Sequence, residues 1–128
     1  MTLDSHTPLE GTKLADFTPI AKVDSLQSID IIVGTGDTVP QNATITAHYT
    51  GALCVDGTIF QSSHDFGKPA TFGLNQVIAG WTEGVPGMKV GGTRRLIIPS
   101  ALAYGSRRAA ANIPANSDLV FDIELVSM

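Results

Sequence analysis

Between Leu119 and Leu125 the chain alternates: Leu119, Phe121, Ile123 and Leu125 fall on one side of an extended backbone, Asp122 and Glu124 on the other. A repeat of two belongs to a strand with one buried face, so this segment does not suit a helix. Residues 44–50 repeat the pattern, with Ile45, Ala47 and Tyr49 opposite Thr44, Thr46, His48 and Thr50, and Gly51 is the expected end of that strand. Ile29, Ile31 and Val33 open a first alternating strand closed by the turn Gly34-Thr35-Gly36-Asp37. The Asp56-Gly57 pair predicts a hairpin returning through Ile59-Phe60-Gln61. A short strand with Phe72 and Leu74 follows Gly67-Lys68-Pro69, and Arg94 to Ile98 forms another, stopped by Pro99. The best helix candidate, Ala79 to Met88, contains Gly80, Gly84, Pro86 and Gly87, so it must be short and held by packing rather than by propensity. Many strands with one short helix predict an α+β domain.

A length of 128 residues suffices for one core, and 43% hydrophobic residues support a globular domain. The net charge of −4 argues against nucleic acid as a partner, because phosphate binding needs a clustered basic face. Cys54 is the single cysteine, which rules out an intramolecular disulfide and a cysteine-only metal site. The first residues lack a basic start followed by an apolar run, and no apolar run approaches the roughly 20 residues of a membrane span. A soluble, cytoplasmic protein without membrane attachment is expected. The absence of heptads disfavours a coiled-coil dimer, and a monomer is expected. Residues 1–24, with Thr7-Pro8, Gly11 and Thr18-Pro19 and no sustained period, are expected to form a flexible N-terminal extension, although Leu14, Phe17 and Ile20 could pack. The domain proper is expected at 25–128.

Three short marks stand apart from these patterns: Ala47-His48-Tyr49-Thr50-Gly51, Val77-Ile78-Ala79-Gly80-Trp81 and Ala103-Tyr104-Gly105. With the closing strand Leu119–Leu125 they resemble the FKBP-type peptidyl-prolyl cis-trans isomerases, over roughly Gly34 to Val126. The resemblance implies a twisted antiparallel sheet wrapped around one short helix, enclosing an aromatic cleft that rotates Xaa-Pro bonds and assists protein folding. It implies Tyr49, Phe60, Trp81, Tyr104 and Phe121 as catalytic residues, with Trp81 beneath the proline ring. Gln61, Phe72, Val77, Ile78 and Ile113 are implied as binding residues. Among them the backbone N–H of Ile78 and the hydroxyl of Tyr104 resemble the family's donors to substrate, and Ile113 matches a loop residue overhanging the cleft. Proline-containing peptides, unfolded proteins and macrolides of the FK506 and rapamycin type are the implied partners. No metal, cofactor or covalent intermediate is implied.

The chain departs from that pattern in four places. Gln61 stands where an acidic residue is usual, Phe66 where an arginine often sits, and Ala70 where many relatives carry an aromatic. Arg107 and Arg108 put two cations in the loop after Tyr104, which would shift preference toward acidic neighbours of the proline. A proline-binding or chaperone-like module with weak or no turnover is therefore the alternative. Other motifs carry less. Ser62-Ser63-His64-Asp65 has the residue types of a hydrolase triad, but neighbours on one short segment cannot form the relay. His6, His48 and His64 have no zinc-ligand spacing with Cys54 or each other. His48, Asp122 and Glu124 are expected to face solvent.

Overall fold

The computed structural model describes residues 8–107, 109–110 and 112–128. Among the described residues six strands form one antiparallel sheet: β1 (Gln27–Ile32), β2 (Thr44–Leu53), β3 (Ile59–Ser62), β4 (Ala70–Gly73), β5 (Thr93–Ile98) and β6 (Leu119–Ser127). Their order is β1-β5-β6-β2-β3, and β4 pairs with the first half of β2. The one α-helix among the described residues, the short α1 (Ala79–Gly84), leans on β5. This is the α+β architecture expected, a sheet around one short helix.

Alternation along the strands sorts side chains into two cores. Leu119, Phe121, Ile123 and Leu125 of β6 join Leu96 and Ile98 of β5, Ile45 and Ala47 of β2, and Trp81 and Val85 of the helical segment. The opposite face supplies Val120, Ile97, Ala52, Cys54 and Ile59 to a second core. Residues 9–23 close that second face. Leu14 and Val23 are buried in it, with Leu9, Phe17 and Ile20 packed beside them. Backbone bonds tie this segment down: Gly11 N–H to Ile59 O (2.8 Å), Leu14 N–H to Gly57 O (2.9 Å) and Ile20 N–H to Cys54 O (2.7 Å). Asp118 accepts from Val23 N–H at 2.8 Å. Of the extension expected at residues 1–24, residues 1–7 lie outside the described residues, and residues 8–24 form this strap.

Two sequence expectations differ from the fold. The alternation of Ile29, Ile31 and Val33 predicts one buried face, yet every residue of β1 is exposed. β1 is an edge strand paired only with β5, and none of its residues enters either core. Asp122 and Glu124 are on a central strand, and both have partners. Arg95 grips Asp122 through two bonds, Nε to Oδ1 at 2.7 Å and Nη2 to Oδ2 at 2.9 Å. The same guanidinium donates to the carbonyls of Ala15 and Asp16 and lies 5.7 Å from the Phe17 ring centre, so it fastens the strap to the sheet.

The glycines of α1 are explained by contact. A Cβ on Gly80 would lie 2.6 Å from Ile98 Cγ2, and one on Gly84 2.7 Å from Leu96 Cδ2. Both partners are fully buried and have no room to retreat. Spaced four apart, the two glycines let the helix axis settle onto β5. Gly80→Ala should therefore lower stability by about 1–2 kcal/mol, because overpacking outweighs the gain in helix propensity. A urea midpoint unchanged or raised would show that Ile98 yields.

Candidate active site

On the helix side of the sheet lies an open cleft of about 540 Å3. Each wall comes from a different element: Tyr49 from β2, Phe60 and Gln61 from β3, Phe72 from β4, and Phe121 from β6. Val77 and Ile78 lead into α1, which carries Trp81, and Tyr104 comes from the loop after β5. Nine of the ten residues singled out from the sequence therefore meet in one place. Ile113 does not line the cleft. It is 6% exposed and belongs to the core beneath, while its neighbour Asn112 ties the loop to β3 through Nδ2 and Phe60 O at 2.9 Å.

Trp81 forms the hub of the aromatic walls. Its ring centre lies 5.0 Å from Phe72, 5.4 Å from Phe121 and 5.9 Å from Tyr49, at interplanar angles of 66°, 85° and 73°. Phe60 continues the chain of rings, 5.7 Å from Phe121 at 86°. Edge-to-face contacts set the positive rim of one ring on the negative face of the next, and this fixes the rings beyond what area burial alone would do. Gly51 makes the space for them. It pairs with Phe121 across β2 and β6, and a Cβ there would lie 2.6 Å from Phe60 Cζ and 2.7 Å from Phe121 Cε1. The strand does not end at this glycine, as its place in the alternation suggests, but runs to Leu53.

The polar groups of the cleft fall into two kinds. The Tyr49 hydroxyl donates to Gln61 Oε1 at 2.9 Å. Burial, reinforced by the nearby Tyr104, pushes the Tyr49 phenol above its ordinary value, so it stays a neutral donor near pH 7. Gln61 thus fills the acceptor role of the usual acid without its charge. Ser63, 1% exposed, accepts from Tyr49 N–H at 2.8 Å and locks that backbone in place. By contrast the Tyr104 hydroxyl and the Ile78 backbone N–H have no partner among the described residues. Trp81 Nε1 is a buried donor without an acceptor among the described residues.

The departures seen in the sequence also find their places. Phe66 ends a short 3-10 turn, is 65% exposed and does not line the cleft; nor does Ala70. His48 is half-buried rather than solvated: its ring stacks on His64 at 4.1 Å, and Nδ1 is 2.8 Å from Ser63 Oγ. His64 in turn contacts Glu124 at 2.7 Å. Ser63 is buried on the tyrosine backbone and does not line the cleft, so these residues hold the wall rather than form a triad. No group of metal-ligating side chains occurs among the described residues. Gln76, Ala103 and Arg107 complete the described lining. Arg107 stands out in the sequence as a loop cation; Gln76 and Ala103 carry no local signal.

Comparison with known proteins agrees with this geometry. Residues 36–126 match the family described as FKBP-type peptidyl-prolyl cis-trans isomerase. An FKBP-type peptidyl-prolyl cis-trans isomerase FkpA of Aeromonas hydrophila is 53% identical over 96 residues, 75% of this chain and 35% of the relative. An FK506-binding protein of Neisseria meningitidis is 46% identical over 101 residues, 77% of this chain and 92% of the relative. The crystal structure of FkpA from Escherichia coli superposes with a TM-score of 0.72 at 41% identity, over 80% of this chain and 47% of that one. The chain thus spans about a third of the length of the Aeromonas relative and nearly all of the Neisseria one. Family match, shared sequence and shared fold make this chain a member of the FKBP-type peptidyl-prolyl cis-trans isomerase family.

Proposed function

We propose that this chain catalyses cis-trans rotation of Xaa-Pro peptide bonds in the aromatic cleft, and that FK506 and rapamycin-type macrolides occupy the same cleft. The observation that carries this reading is a pocket walled by aromatic rings around Trp81, lined also by Tyr104 and Ile78, whose Oη and backbone N–H have no partner among the described residues. An Xaa-Pro amide is held planar by a barrier near 20 kcal/mol arising from its partial double bond. Rotation removes the conjugation that charges the carbonyl oxygen, so the twisted amide is less polar than the planar one. Water stabilises the planar form more; the apolar rings remove that advantage, and binding energy goes to the twisted state. Ile78 N–H and Tyr104 O–H would hold the flanking carbonyls while the prolyl ring rests on Trp81, turning rotation about one bond into a restrained motion. Proline-containing peptides and segments of unfolded chains fit an open cleft of this kind.

Exchange NMR on a short Xaa-Pro peptide tests the reading. We expect accelerated interconversion that excess FK506 abolishes, and a kcat/KM about three- to tenfold lower for Tyr49→Phe, which removes the hydroxyl's bond to Gln61 and one polar group of the cleft. No acceleration with FK506 still bound would leave a proline-binding module. Absence of both would limit the resemblance to fold.

A further inference from the structure

Of the twelve described side chains lining the cleft, Arg107 is the only one charged at neutral pH. The other described arginines are engaged: Arg94 with Asp30 and the carbonyls of Gly84 and Pro86, Arg95 with Asp122 and the strap. Arg107 is exposed and has no ion pair among the described residues. Its backbone is nonetheless anchored. Arg107 N–H donates to Tyr104 O at 3.2 Å, and the preceding Gly105 is held by Ser100 O and Asn116 N–H at 2.8 Å each. The guanidinium is therefore carried on a fixed root beside Tyr104, facing a cleft whose polar wall, Gln61, offers it no countercharge.

We infer that Arg107 sets substrate preference, selecting Xaa-Pro sequences that carry a carboxylate on a residue flanking the proline. This rests on the isomerase reading and names its substrate class. A planar guanidinium can meet both oxygens of an Asp or Glu side chain while the proline lies on Trp81, and it repels a lysine at the same place. The preference must be local, because the chain's net charge of −4 would by itself favour basic peptides.

The test uses two blocked peptide sets, Ala-Xaa-Pro-Ala and Ala-Pro-Xaa-Ala, each with Xaa as Glu, Ala or Lys. Exchange NMR at low ionic strength gives kcat/KM, and the shift of the Trp81 indole proton gives Kd. In at least one set the Glu peptide should exceed the Lys peptide roughly three- to tenfold. Arg107→Gln should erase that ratio, Arg107→Glu should invert it, and Arg107→Lys should keep most of it. A ratio of one or less in both sets, or one that Arg107→Glu leaves unchanged, overturns the inference. If no peptide is accelerated, the isomerase reading fails, and the same ratios taken from Kd decide on Arg107 alone.

Discussion

Removing residues 1–24 is expected to expose the second core and to make Cys54 reactive. The strap places Leu14 and Val23 on Ala52, Cys54, Ile59, Ile97 and Val120, and Arg95 clamps it through two carbonyls. Without this cover those apolar side chains face water at about 1 kcal/mol or more each for the larger ones, partly offset by the freed chain's entropy. A net loss of about 3 kcal/mol or more in denaturant unfolding is expected. Cys54 offers a sharper reading. Its thiol is 0% exposed, and burial, with Asp118 adding, pushes it up from 9.0 to about 12. At pH 8 a re-exposed thiol would be ionised on the order of a thousandfold more, so labelling by a thiol reagent should accelerate by ~10²-fold or more. Equal labelling rates in the intact and shortened chains would mean that the strap does not protect this face. The same shift gives a pH dependence. A folded-state value raised above the unfolded one contributes stability that is fully present below about pH 9 and is lost as pH rises toward 12. Cys54→Ala should remove part of that decline.

Phe121→Ala is expected to have the largest effect on the cleft itself. The ring is 5% exposed, stands between Phe60 and Trp81 edge-to-face, and fills the space left by Gly51. Truncation in a packed core costs about 3–5 kcal/mol, and here it also opens the wall to water, so kcat/KM should fall on the order of 100-fold. Because that variant is near the limit of folding, Phe121→Leu is the companion. It keeps an apolar side chain but removes two ring pairs worth about 0.5–1.5 kcal/mol each, and turnover should fall on the order of tenfold while the fold persists. Wild-type turnover in a folded Phe121→Leu would show that apolar volume suffices and ring geometry does not matter.

Much of the cleft was legible because alternation is a local property. Once Leu119, Phe121, Ile123 and Leu125 share a side, and Ile45, Ala47 and Tyr49 another, Phe121 and Tyr49 must point with the core residues of their strands. The resemblance then supplied the residues that converge with them, and nine of ten line the pocket. Ile113, expected over the cleft, lies in the core instead; burial and overhang look alike in a loop residue beside proline. Ser63 and Gly51 escaped for another reason: the partners of each, Tyr49 N for one and two phenyl rings for the other, are distant in sequence.

Local periodicity by itself determined which segments are strands and which side of most of them is apolar, and the glycines of residues 79–88 required a short, packed helix. Only the tertiary structure decided what covers each side. β1 carries the same alternation as β2 yet buries nothing, because it lies at the sheet edge, whereas Leu14 and Val23 in an aperiodic segment are buried because the strap crosses the sheet. Burial depends on neighbours brought together over long sequence separations, and a strand's own pattern contains no term for them.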